Sequence, residues 1–207
     1  MNKKAAAFIA AILLTIGQPA FAGVSPWPSD LNNPSGFTPQ TKYSSPAQPE
    51  QPYSAPAGMK QFSGCGLSMT YPSAWQDVGI NLPPQVIFAK ILPTASSMFR
   101  DNLSIACENI GQHGNITLDA YYNANLQELS KTPGFRKISE TDGTTGGIPN
   151  KGILYSIDAG GGNQLFQMQF YIINGGYGYV ITLTAIQNTI QNAAQEAGKA
   201  LNTIQFR

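Results

Sequence analysis

Among 207 residues the groups able to carry chemistry are few: two cysteines, one histidine and 11 carboxylates. His113 stands alone in Gly111-Gln112-His113-Gly114-Asn115, and one imidazole makes neither a HExxH pair nor a paired-histidine metal site. A Ser/His/Asp triad drawn from His113, Asp119 and one of the serines lacks the G-x-S-x-G elbow that presents a serine for attack. A histidine between glycines reads instead as a solvated turn residue. The carboxylates Asp77, Asp101, Glu108, Asp119, Glu128, Glu140, Asp142 and Asp158 are widely separated and read as solvated charges or helix caps. No D-x-D-x-D-G calcium loop occurs. Asp158-Ala159-Gly160-Gly161-Gly162-Asn163 is glycine-rich, yet it falls between strand patterns rather than opening a helix, which suits a hairpin connection better than a phosphate cradle. The expectation is a non-enzyme with no catalytic residue, no metal ligand set and no cofactor.

The cysteines are the remaining reactive pair. In Cys65-Gly66-Leu67-Ser68-Met69-Thr70-Tyr71 the first shares an alternating apolar face with Leu67, Met69 and Tyr71, and the second shares one with Leu103 and Ile105. Both sulfurs are expected to enter one core and, in an oxidising compartment, to pair as Cys65–Cys107. Two buried free thiols are the alternative. Neither cysteine has a CxxC partner or a basic neighbour to lower its pKa, which argues against a catalytic thiol.

The compartment is read from the first residues. Lys3 and Lys4, an apolar run over 5–16 and Ala20-Phe21-Ala22 match a secretory leader cleaved after residue 22. About twelve apolar residues are too few for a bilayer core that needs roughly twenty, so no integral membrane segment is expected after cleavage. The first cysteine is Cys65, far from the cleavage site, so no lipoprotein anchor is indicated. The product is expected to be exported, to the periplasm or beyond it. Lys3 and Lys4 leave with the leader, reducing 12 basic residues to 10 against 11 acidic ones. Without a Lys/Arg run the footprint of a nucleic-acid or anionic-membrane binder is missing.

Residues 23–59 follow as a linker or tail, with eight prolines, at 26, 28, 34, 39, 46, 49, 52 and 56. Such spacing sustains neither helix nor central strand and buries too little to offset chain entropy, so disorder is expected. Its rings, Trp27, Phe37, Tyr43 and Tyr53, are either incidental or anchors that dock an extended segment on a partner.

The folded body is expected over 60–207. Strands are read at about 64–71, 85–92 and 102–109, then a helix over 118–130 capped by Thr117, with Leu118, Tyr122, Leu126 and Leu129 on one stripe, stopped by Pro133-Gly134. A strand near 135–140 precedes another marked by Ile153, Tyr155 and Ile157. Phe166, Met168, Phe170 and Ile172 alternate against Gln167, Gln169 and Tyr171; Asn174-Gly175-Gly176 turns the chain, and Tyr179, Ile181 and Leu183 alternate back. A last helix over 189–203 lines up Ile190, Ala193, Ala194, Ala197 and Leu201, followed by Ile204. This order gives an α+β fold, an αβα sandwich whose mainly antiparallel sheet is covered by helices. Tyr121, Tyr171 and Tyr177 are expected on outward faces, as contact residues for another protein or as covers of the sheet.

Tyr71-Pro72-Ser73-Ala74-Trp75, a YPxxW turn closing a strand, resembles the opening of the PsbP/Mog1/DcrB-like proteins. So do Thr117-Leu118-Asp119-Ala120-Tyr121 at a helix start, Pro133-Gly134-Phe135 before a strand, the long hairpin, and Ile204-Gln205-Phe206 after the last helix. The resemblance spans about 60–207. It implies the αβα sandwich and a binding or assembly accessory rather than an enzyme; it carries over no functional residue. Shared shape does not give shared activity. The function expected is that of a non-catalytic exported accessory protein, bound to other cell-envelope proteins in an assembly such as a secretion apparatus. The alternatives are a binder of a small apolar or lipid ligand and, further off, a secreted hydrolase or toxin.

Overall fold

Alternating apolar residues from Phe166 to Leu183 build the centre of the molecule. The computed structural model describes residues 55–79, 82, 85–94, 99–160 and 163–207. In chain order these form β1 (Met59–Gly64), β2 (Leu67–Pro72), β3 (Gln76–Asp77), β4 (Val86–Ile91), β5 (Asn102–Asn109), α1 (Leu118–Leu129), β6 (Arg136–Thr145), β7 (Ile148–Gly160), β8 (Asn163–Asn174), β9 (Tyr177–Ile186), α2 (Ile190–Leu201) and β10 (Gln205–Phe206). The β8–β9 hairpin turns at Gly175 and Gly176, whose φ values of 57° and 81° are those a two-residue primed turn demands. Phe166, Ile172, Tyr179, Ile181 and Leu183 then share one apolar cluster.

Two antiparallel sheets result. The larger runs β3-β4-β5-β9-β8-β7-β6 and the smaller β1-β2-β10. β5 lies in the middle of the large sheet while the next strand, β6, lies at its far edge, so the connection must cross a face. It does so as α1, whose N-cap Thr117 accepts from the Ala120 N–H at 3.2 Å. The side of β8 expected to face solvent is therefore covered. Gln167, Gln169 and Tyr171 are buried, and their polar atoms find partners across the strands or along β8 itself, as burial requires. Tyr155 donates to Gln167 Oε1 and Tyr171 to Gln169 Oε1, while Gln167 Nε2 reaches Thr184 Oγ1 at 3.0 Å and Gln169 Nε2 reaches Thr182 Oγ1 at 3.2 Å.

The opposite face is closed by α2 and the small sheet. Ala193 and Ala197 are fully buried, and their small side chains let α2 contact both β2 and β9. Trp75, three residues past Pro72, folds back into this core and donates its indole N–H to Glu196 Oε1 of α2 at 2.9 Å. The YPxxW turn is thus a plug tied to a helix.

Cys65 corrects one expectation. The strand read over 64–71 is a hairpin, β1 and β2 joined through Cys65-Gly66, so the cysteine sits in the turn at φ 54° rather than on the strand's apolar face. Leu67, Met69 and Tyr71 do face the core, as does Cys107 beside Leu103 and Ile105. The disulfide Cys65–Cys107 forms, with its Cα atoms 6.6 Å apart. It links the small sheet to the large one rather than two neighbouring strands. The leader and the candidate anchors Trp27, Phe37, Tyr43 and Tyr53 lie outside the described residues.

Candidate interaction surface

The large sheet leaves a long outer strand. β6 pairs with β7 on one side only, and among the described residues nothing pairs with its other side. Ten residues of edge contrast with two in β3 at the opposite end. A bulge between Lys137 and Ser139 leaves Ile138 without a β7 partner. Ile138 is 40 % exposed and is the only large apolar side chain exposed among the described residues.

Because the bulge absorbs one residue, Lys137, Glu140 and Asp142 stand opposite Tyr155, Ile153 and Lys151 of β7 and share the face that carries α1. There they form a charged network. Lys137 Nζ lies 3.0 Å from Glu140 Oε2, and Tyr122 of α1 donates its hydroxyl to Glu140 Oε1. Those contacts, the tyrosine bond first, hold Glu140 below its ordinary value. Lys151 Nζ sits 3.0 Å from Asp119 Oδ1 and 3.1 Å from Asp142 Oδ1, which raises its pKa, Asp119 contributing most. Its ammonium also lies 5.8 Å from the Tyr122 ring centroid. Asp119, Tyr122, Lys137, Glu140, Asp142 and Lys151 thereby fix the start of α1 to the outer two strands. Sequence reasoning passed over these residues as scattered charges; the legible signal was the change of sign along one strand, from Arg136-Lys137 to Glu140 and Asp142.

The tyrosines expected to form an outward patch are distributed differently. Tyr121 is 5 % exposed and Tyr171 only 1 %, their rings meeting edge-on at 6.1 Å beneath α1; burial raises the pKa of both. Tyr122 adds a second edge-on contact with Tyr171 at 5.3 Å. Tyr177 alone of the three stays partly exposed, 6.4 Å from Tyr179. Tyr179 donates to the Cys65 carbonyl at 2.6 Å and its ring meets Phe206 at 5.1 Å, so Tyr177 marks the end of the molecule that holds the disulfide. The three tyrosines form no single patch.

His113 is exposed in a one-turn 3-10 helix, with Gln112 Nε2 3.4 Å from its Nε2. Among the described residues Asp101 is the one fully buried carboxylate. Thr189, which precedes α2, donates to its Oδ1 at 2.8 Å, while Oδ2 has no hydrogen-bond partner among the described residues. Burial raises its pKa, against the bond from Thr189. Among the described residues no helix is long and apolar enough to cross a membrane.

No protein-family model matches the sequence, and no curated protein matches it significantly. Solved structures do. Cyanobacterial PsbP from Synechocystis sp. is 15 % identical, with a TM-score of 0.50, over 74 % of this chain and 95 % of that one. A protein from Bacteroides thetaiotaomicron is 18 % identical at a TM-score of 0.51 over 72 % of this chain, which spans about half of its length, 49 %. LpqN of Mycobacterium tuberculosis, a protein involved in cell envelope biogenesis, is 15 % identical at a TM-score of 0.49, over 67 % of this chain and 82 % of LpqN. At these identities the likeness is one of architecture, and the chain has a PsbP-like α+β fold.

Proposed function

We propose that the protein is a non-catalytic exported accessory protein that works by docking on other cell-envelope proteins, with β6 as its docking edge. The observation that carries this reading is the ten-residue edge, paired on one side only among the described residues, with Ile138 exposed at its bulge. An extended segment of a partner gains main-chain hydrogen bonds along such an edge, and the side chains beside it select the partner. The charged network gives the edge a fixed shape before binding, which lowers the cost of ordering. The disulfide suits an oxidising compartment, in line with the leader-like residues 1–22.

The test places a photo-crosslinking residue at Ile138 and, as control, at Glu128 on α1, in cells producing the full chain. Discrete protein adducts from position 138 and none from 128 are expected. Equal labelling at both, or none at either, removes β6 as the docking edge; a tightly retained lipid or other small mass in native mass spectrometry would favour a ligand carrier instead.

A further inference from the structure

We propose that one partner of the β6 edge is a second copy of this chain, paired with it antiparallel about a two-fold axis. This rests on the reading of β6 as a docking edge. Along the strand the order is basic, apolar, acidic: Arg136 and Lys137, then Ile138, then Glu140 and Asp142. A strand of the same sequence running the other way presents that order reversed, so the edge is complementary to itself. The bulge makes the match specific. With Ile138 outside the ladder, one paired residue, Ser139, separates Lys137 from Glu140, and both stand on the α1 face. An axis through Ser139 sets each Lys137 opposite the Glu140 of the other copy, because residues directly opposite in an antiparallel pair share a face. Arg136 then stands opposite Thr141, whose side shares its face, Ser139 faces its twin on the axis, and the two bulged Ile138 residues flank it. The axis stands perpendicular to the sheet, and the two seven-stranded sheets become continuous.

The alternative registers are poorer. Moving the axis by one residue pair toward the C-terminal end sets Glu140 against its own twin, and one pair further sets Glu140 against Asp142; like charges directly opposite are destabilising. The intramolecular Lys137–Glu140 pair is exposed, its side chains 47 % and 42 % accessible, so exchanging one such pair in each copy for the two intermolecular pairs of the dimer loses little. The bulge also bends the edge away from indiscriminate strand addition, leaving a short matched segment as the point of contact.

Sedimentation equilibrium of the full mature chain tests the pairing. A monomer–dimer equilibrium is expected, weakening as salt screens the two ion pairs. Lys137→Glu and Glu140→Lys, each alone, are expected to weaken it roughly tenfold, and an equimolar mixture of the two to restore it as a heterodimer. Ile138→Lys is expected to abolish it by placing two like charges beside the axis, and thermal melts confirm that each variant folds. A wild type that stays monomeric at its highest soluble concentration overturns the proposal, as does a dimer indifferent to Lys137→Glu and Ile138→Lys. Adducts from position 138 to other proteins alone, with a monomeric wild type, would overturn self-pairing and leave the docking edge standing; no adduct and no dimer would overturn both.

Discussion

Gly178 carries no side chain because Tyr121 fills the space one would occupy: an ideal Cβ there would lie 2.7 Å from the tyrosine Cζ. This explains why Tyr121 turns inward although the apolar spacing of α1 runs through Leu118, Tyr122, Leu126 and Leu129. Helical periodicity states which side of α1 is apolar, but where the sheet leaves a slot depends on Gly178, 57 positions after Tyr121. A glycine inside an otherwise β-branched and aromatic strand was the available sign of a close approach. Gly178→Ala is expected to cost about 1–3 kcal/mol through overpacking, seen as a lower denaturant midpoint; an unchanged midpoint would mean that the ring yields freely. Asp101 gives a second residue-scale prediction. Its folded-state pKa is raised above the ordinary 3.8 by burial, so the folded form binds its proton more tightly than the unfolded chain does. The contribution of this group is therefore favourable at low pH and is lost as pH rises through the raised pKa. Asp101→Asn removes that titration, so the stability of the wild type relative to this variant should fall as pH rises from about the ordinary value upward. A difference that stays flat across that range, followed by denaturation at successive pH values, would contradict the assignment.

At the scale of elements, the sequence read most directly where a local pattern and a tertiary demand agreed. β5 over Asn102–Asn109, the cap at Thr117 and the Gly175-Gly176 hairpin all follow from residues within a few positions of one another. Reading failed where a partner distant in sequence decides. The single strand expected around Cys65 is a hairpin because two positive-φ residues, Cys65 at 54° and Gly66 at 71°, turn the chain there, and a cysteine is not a turn residue by type. Gln167, Gln169 and Tyr171 are polar in sequence and buried in the fold because the two glutamines meet hydroxyls on neighbouring strands and Tyr171 donates to Gln169 two residues before it. β6 was read only over about 135–140 and runs on to Thr145, for the opposite reason: an edge strand facing water has few apolar residues to announce its full length. α2 was legible, and its small residues are there for contact. Ala197 is fully buried between the helix and the strands it covers, so Ala197→Leu should force β2 and β9 away from α2 at a cost of about 1–3 kcal/mol. Trp75 is bonded to this helix through Glu196, a contact that would be disturbed; a change in near-ultraviolet circular dichroism should accompany the lower melting temperature. A Leu at 197 that leaves both unchanged would show a gap between helix and sheets.

Among the described residues the two sheets share an apolar core, Phe62 and Tyr71 of the small sheet meeting Phe88 of the large one, and three further links, set apart from one another, decide what the disulfide does. α2 touches β2 and β9, Tyr179 of the large sheet donates to the Cys65 carbonyl of the small one, and Cys65–Cys107 joins the β1–β2 turn to β5 across a separation of 42 residues. The first two links persist when the third is cut, so the native layers should survive its loss. Its contribution lies largely in the unfolded chain, where closing a loop of this length removes entropy worth about 4 kcal/mol in the chain-entropy model. Replacing both cysteines, Cys65→Ala with Cys107→Ala, avoids a lone thiol and leaves the side-chain volume at both sites nearly filled. Its near-ultraviolet spectrum at low temperature should match the wild type, while urea denaturation should show a loss of stability of about 4 kcal/mol and a single transition still shared by fluorescence and circular dichroism. Two separated transitions would mean that the small sheet is a unit of its own held on by the sulfur bridge. No loss at all would mean that the denatured chain already keeps these two segments together, since only a constraint on the unfolded ensemble can be removed without moving the folded one.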